Sequence, residues 1–145
     1  MATSHKFDTS VHWTGGREGR LESTGFPALQ VASPPEFSGP EGRWTPEHFF
    51  VASAEVCVML TFIAIADFSK LTVKGYRSSA SGVLEKIEGK GFRFTSIEIV
   101  AHIEVERDAD VERAQRLLEK AEKSCLVSNS METPVRVKGE IVVAS

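Results

Sequence analysis

The segment from Glu47 to Lys70, EHFFVASAEVCVMLTFIAIADFSK, constrains the fold of this chain more than any other. It runs for more than 20 residues without glycine or proline and is apolar nearly all round a helix. A helix of that kind is buried on most of its faces. Thr45 supplies an N-cap before it, and Pro46 suits the first helical position. Glu47 sets a carboxylate in the first turn, where the helix dipole favours it. The length would also fit a membrane span. Glu55 near the centre, His48 and Asp67 near the ends and the lack of a second span argue against a membrane protein. A chain of 145 residues makes one domain, 1–145, with limited sheet to spend on covering such a helix. Its own sheet is expected on one side and a second copy of the chain on the other, as a homodimer.

Strand patterns flank the helix. Phe7, Val11 and Trp13 share the even spacing of one strand face, Gly15-Gly16 makes a turn, and Gly19–Ser23 forms a second strand. Leu29 and Val31 belong to a third, which completes a meander. The loop SPPEFSGPEGRW, Ser33–Trp44, is too rich in breakers for a helix or a central strand. Beyond the long helix, Tyr76–Ile87 reads as a strand with Gly82 as a bulge or bend, and Glu88–Gly91 as a hairpin turn. In Phe92–Val105, Ile97, Ile99, Ala101, Ile103 and Val105 form a buried face. Asp108 or Asp110 caps a second helix. Its apolar stripe of Val111, Ala114, Leu117, Leu118, Ala121 and Cys125 is followed by a polar turn at Asn129. Val135–Val143 closes the chain as a strand. The class is α+β with antiparallel sheets.

The net charge of -3 and the lack of a basic cluster disfavour a nucleic-acid surface. The polar start, Met1–Asp8, has no apolar signal core, so the cytoplasm is the expected compartment. Four histidines, His5, His12, His48 and His102, share no metal-ligand spacing, and no metal site is expected.

Cys57 and Cys125 are the only cysteines. In a reducing compartment such a pair is commonly buried and inert. Reactivity at Cys57, in the middle of the apolar helix, would need a cation or hydrogen-bond donors, because burial alone raises a thiol pKa. Arg17, just after the glycine turn, can supply the cation, and equally it can be a surface turn arginine. Glu47 can hold Arg17 as a bidentate pair or simply cap the helix. A straight helix keeps Glu47 away from Cys57, about 15 Å along the axis. Glu55 faces elsewhere, as a second acid or as a structural or interface carboxylate that requires a partner. Phe37 and Trp44 in the loop, with His48, can rim an apolar substrate pocket or serve only to pin the loop.

Taken together, these segments resemble the OsmC/Ohr family, named for osmotically inducible and organic hydroperoxide resistance proteins. The resemblance rests on Gly15-Gly16-Arg17, on SPPEFSGPEGRWTPE, on Cys57 ten residues after Glu47, and on AEKSCLVSNS around Cys125. It covers nearly the whole chain. It implies an intertwined homodimer with sheets wrapped around central helices, and no metal, haem or flavin. It further implies that Cys57 attacks an organic hydroperoxide, or hydrogen peroxide, releases an alcohol or water and becomes a sulfenic acid, that Cys125 resolves it as a disulfide, and that an external dithiol, lipoyl-type in one branch, reduces the disulfide. Arg17 and Glu47 match the family's thiolate-stabilising pair. The chain departs from the best-understood branches in having His48 after the Pro-Glu pair, Glu55 near the cysteine and SPPEF in the loop. A non-catalytic or redox-sensing dimer that binds a small ligand is the alternative on the same fold.

Overall fold

A computed structural model describes residues 3–145. The first two residues of the polar N-terminal stretch therefore lie outside the described residues. The chain forms two compact units that divide between Phe50 and Val51.

The first unit is a three-stranded antiparallel meander: β1 (Ser10–Gly15), β2 (Glu18–Glu22) and β3 (Leu29–Ala32). The glycine pair does make the first turn. Gly15 and Gly16 both have positive φ, +124° and +53°, which side chains with a Cβ rarely adopt. The loop after β3 is not wholly irregular, since Pro35–Phe37 forms a short 3₁₀ turn. It returns beside β3, where Trp44 bridges to Val31 and its carbonyl accepts the Ala32 N–H at 3.0 Å. Arg43 pairs with Glu18 at 3.4 Å and ties the loop end to β2. Helix α1 (Pro46–Phe68) starts as expected, with Thr45 Oγ1 accepting the His48 N–H at 3.0 Å.

The second unit holds the rest of α1 and a three-stranded sheet in the order β4 (Val73–Ile87), β5 (Gly91–Val105), β6 (Val135–Val143). β4 and β5 form the expected hairpin. β6 corrects the expectation of antiparallel sheets: it runs parallel to β5, from Ile97↔Val135 to Val105↔Val143. The cause is the crossover through α2 (Ala109–Ser124), which carries the chain back to the start of β5 before β6 begins. The segment after Cys125 is also more ordered than a turn, forming the short helix α3 (Leu126–Asn129). Asp108 occupies the N-cap of α2 without a side-chain capping bond. Asp110, in the first turn, is buried and accepts two hydrogen bonds from Arg107, at 3.2 and 3.3 Å.

One sheet face carries both helices. Register places Tyr76, Ser78, Ala80 and Gly82 of β4 beside Ile103, Ala101, Ile99 and Ile97 of β5, and beyond them Ile141, Gly139, Val137 and Val135 of β6. Ile97, Ile99, Ala101, Ile103 and Val105 are buried, as their alternation requires. Within this unit α1 runs antiparallel along β4. Val51 lies over Gly82, Glu55 meets Ser78, and the Phe62 ring sits 5.8 Å from the Tyr76 ring. Helix α2 lies over β6, where Leu118 fills the space above Gly139 and Glu122 accepts the Val137 N–H at 3.0 Å. An Arg113 hydrogen bond to the Ser69 carbonyl ties α2 to the end of α1.

Only one stripe of α1 is buried in the single chain: Ala54, Val58, Phe62 and Ala66. Val56 and Leu60 remain 49% and 56% exposed, and Ile63 and Phe68 are exposed as well. The all-round apolar helix is therefore only half used by its own sheet.

Candidate functional site

The two cysteines meet in the second unit. Cys57 stands about three turns into α1, half-buried, while Cys125 is fully buried at the junction of α2 and α3. Both are free thiols, and they are near enough for the Cys125 side chain to lower the Cys57 pKa. The local backbone explains how Cys125 gets there. With φ -64° and ψ 110° it is extended, so it ends α2 and opens α3 at the same residue. The first amides of a helix have no partner inside it. Here the backbone amides of Leu126 and Val127 lie near the Cys57 sulfur and favour its charged form. From its own helix, Thr61 places Oγ1 3.8 Å from the same sulfur.

These groups compete over the state of the thiol. Burial pushes Cys57 up. The Val127 amide, the Cys125 side chain, the Thr61 hydroxyl and the Leu126 amide pull it down, and together they leave it below its ordinary range. A thiol so placed is more fully a thiolate near neutral pH, and the thiolate is the nucleophile. The pair can thus do two things chemically: the half-exposed sulfur can attack, and the buried one can trap it as a disulfide.

Arg17 and Glu47 lie in the first unit. Arg17 is exposed in the β1–β2 turn, its carbonyl accepts the Ser33 N–H at 3.1 Å, and its guanidinium makes no ion pair among the described residues. Glu47 Oε1 is buried without a hydrogen-bond partner. A buried carboxylate oxygen in that state calls for a donor. The same unit gathers Trp44 and His48. Their rings meet edge to face at 6.3 Å, and Trp44 also stacks on Phe49 at 5.7 Å. His48 Nδ1 shares a 2.7 Å hydrogen bond with buried Thr45, beside a surface hollow lined by Gly42, Arg43, Trp44 and His48. Phe37 ends the 3₁₀ turn, half-buried.

Glu55 does have a partner. Ser78 donates to it at 2.6 Å from β4. Beside them the Tyr76 hydroxyl is buried without a hydrogen-bond partner, and its pKa is pushed up to about 12 by burial and by the Glu55 charge. Among the described residues no three His, Cys, Asp or Glu side chains come together as a metal site requires.

Sequence reasoning missed Thr61, the Leu126 and Val127 amides and the Ser78–Glu55 pair. The spacing of four between Cys57 and Thr61 was the one available signal. The amides carry no signature in residue type.

A family model described as OsmC-like protein matches residues 39–140. The chain belongs to the OsmC-like family. It is 27% identical over 144 residues to the uncharacterized protein YmaD of Bacillus subtilis, covering 96% of this chain and 95% of that one. Its fold matches an OsmC-like protein of unknown function from Vibrio cholerae with a TM-score of 0.86, at 22% identity, over 94% of this chain and all of that one. It also matches an organic hydroperoxide resistance protein OsmC from Legionella pneumophila. There the TM-score is 0.75 at 27% identity, over 99% of this chain and all of that one. This OsmC-like fold has two sheets and few helices, as expected from the strand and helix patterns. α1 has the length and hydropathy of a membrane span, but here it belongs to a soluble OsmC-like fold.

Proposed function

We propose that this OsmC-like protein is a cysteine-based peroxidase acting on organic hydroperoxides, with Cys57 as the attacking residue and Cys125 as the resolving one. The contact between a half-exposed Cys57 thiol, drawn below its ordinary pKa, and a fully buried Cys125 carries this reading. The Cys57 thiolate attacks the distal peroxide oxygen, the O–O bond breaks, and the alkoxide leaves as an alcohol after taking a proton. Cys57 becomes a sulfenic acid. The Cys125 thiol then displaces water from that sulfur and a disulfide forms. An external dithiol, lipoyl-type or similar, attacks the disulfide and leaves both cysteines reduced and itself oxidised.

Arg17 and Glu47 are proposed as the charged pair beside the thiolate. The unpartnered buried oxygen of Glu47 supports this, because a guanidinium is the donor that suits it. Phe37, Trp44 and His48 are proposed to rim the substrate entrance. The exposed apolar residues Val56, Leu60 and Ile63 of α1 support a homodimer in which a second copy covers that face. The cytoplasm, where dithiol reductants are available, is the proposed compartment. The test is cumene hydroperoxide consumption with a dithiol by wild type and Cys57→Ser. Turnover by wild type and none by the variant is expected; equal rates would refute the proposal.

A further inference from the structure

In the stretch from Val56 to Ala66, Cys57 and Thr61 are the only side chains able to make a hydrogen bond through a thiol or hydroxyl. They lie one turn apart on one helix face. A threonine inside a helix commonly turns its hydroxyl onto the carbonyl four residues back. That carbonyl would belong to Cys57. Instead the Thr61 hydroxyl contacts the Cys57 sulfur at 3.8 Å and makes no other hydrogen bond among the described residues. We propose that Thr61 is a catalytic residue of this protein, its hydroxyl donating a hydrogen bond to the Cys57 thiolate and so holding the nucleophile in its reactive state from within its own helix.

The physical basis is the difference between the two states of sulfur. A neutral thiol is a weak acceptor, whereas a thiolate accepts a charge-assisted bond. A hydroxyl that stays in place through deprotonation therefore favours the charged form. The Leu126 and Val127 amides act from the α3 side, and Thr61 opposes the cost of burial from the α1 side. The chemistry rests on the peroxidase reading, but the bond itself does not.

The experiment is a titration of thiolate absorbance near 240 nm on the full-length Cys125→Ser protein, in which Cys57 is the only thiol. Thr61→Val keeps the branched shape and removes the hydroxyl. It is expected to move the midpoint up by about one pH unit, a tenfold change in the ionisation constant. Thr61→Ser is expected to stay with the parent. Thr61→Ala, also lacking the hydroxyl, should match Thr61→Val and serves if the valine variant folds poorly. A Thr61→Val midpoint equal to the parent overturns the proposal. So does an equal upward move in Thr61→Ser, which would make packing the cause. No peroxide enters the measurement, so a protein without turnover would still give a clear answer for Thr61.

Discussion

Gly82→Ala tests the packing that seats the cysteine-bearing helix. Gly82 lies in β4 opposite Ile97, on the face that carries α1. A Cβ added there would stand 2.5 Å from Val51 Cγ2 and 3.1 and 3.3 Å from two carbons of the Phe94 ring. Its φ is not positive, so the backbone accepts alanine and the cost arises from contact alone. Val51 cannot swing aside cheaply, because a β-branched residue in a helix is confined to one main χ1 rotamer. Overpacking of this kind costs about 1–3 kcal/mol. Alanine's smaller unfolded-state entropy returns about 0.4–1 kcal/mol. The net is a loss of about 1–2 kcal/mol, or a drop in Tm of about 3–7 °C for a chain of this size. Thermal unfolding followed by circular dichroism reads it, with Ser79→Ala as the control. Ser79 is exposed on the opposite face of the same strand, so that change is expected within about 0.5 kcal/mol of wild type. If Gly82→Ala melts with or above wild type, α1 does not approach β4 as described.

Further expectations concern the same unit. The chain has one tyrosine, so phenolate absorbance at 295 nm reports Tyr76 alone: the folded midpoint should lie at about 12 and fall in Glu55→Gln. Because the folded phenol ionises later than the unfolded one, its contribution to stability is intact below a pH of about 10. It is lost as pH rises through the folded value, and denaturation midpoints across that window should show the decline. Phe62→Ala empties a fully buried site against Tyr76 and should cost about 3–5 kcal/mol by urea unfolding, with Phe62→Leu costing less. Leu60→Asp places a charge on the exposed apolar face of α1; analytical ultracentrifugation should find it monomeric under conditions where wild type is dimeric.

Much of the architecture was legible because local rules and the final fold agree. Thr45-Pro46-Glu47 marked the start of α1, and the alternation of Ile97 to Val105 marked the buried face of β5. The parallel seat of β6 was not legible. Val135–Val143 has the same alternation whichever way it pairs, and only the route of the chain through α2 decides its direction. Likewise the α1 stripe could not be read from a helix that is apolar on every side. The sheet selected Ala54, Val58, Phe62 and Ala66 and left Val56 and Leu60 outward.

The amino-acid sequence by itself determined that the chain has two thiols, and which helix carries the first. Tertiary structure alone decided that the thiols meet. It also decided that Cys125 ends one helix and begins another, and that the amides of Leu126 and Val127 come near the Cys57 sulfur. The physical reason is that a thiol's pKa depends on the donors and burial around it. Backbone amides are present at every residue, so composition and spacing do not reveal where folding will aim them.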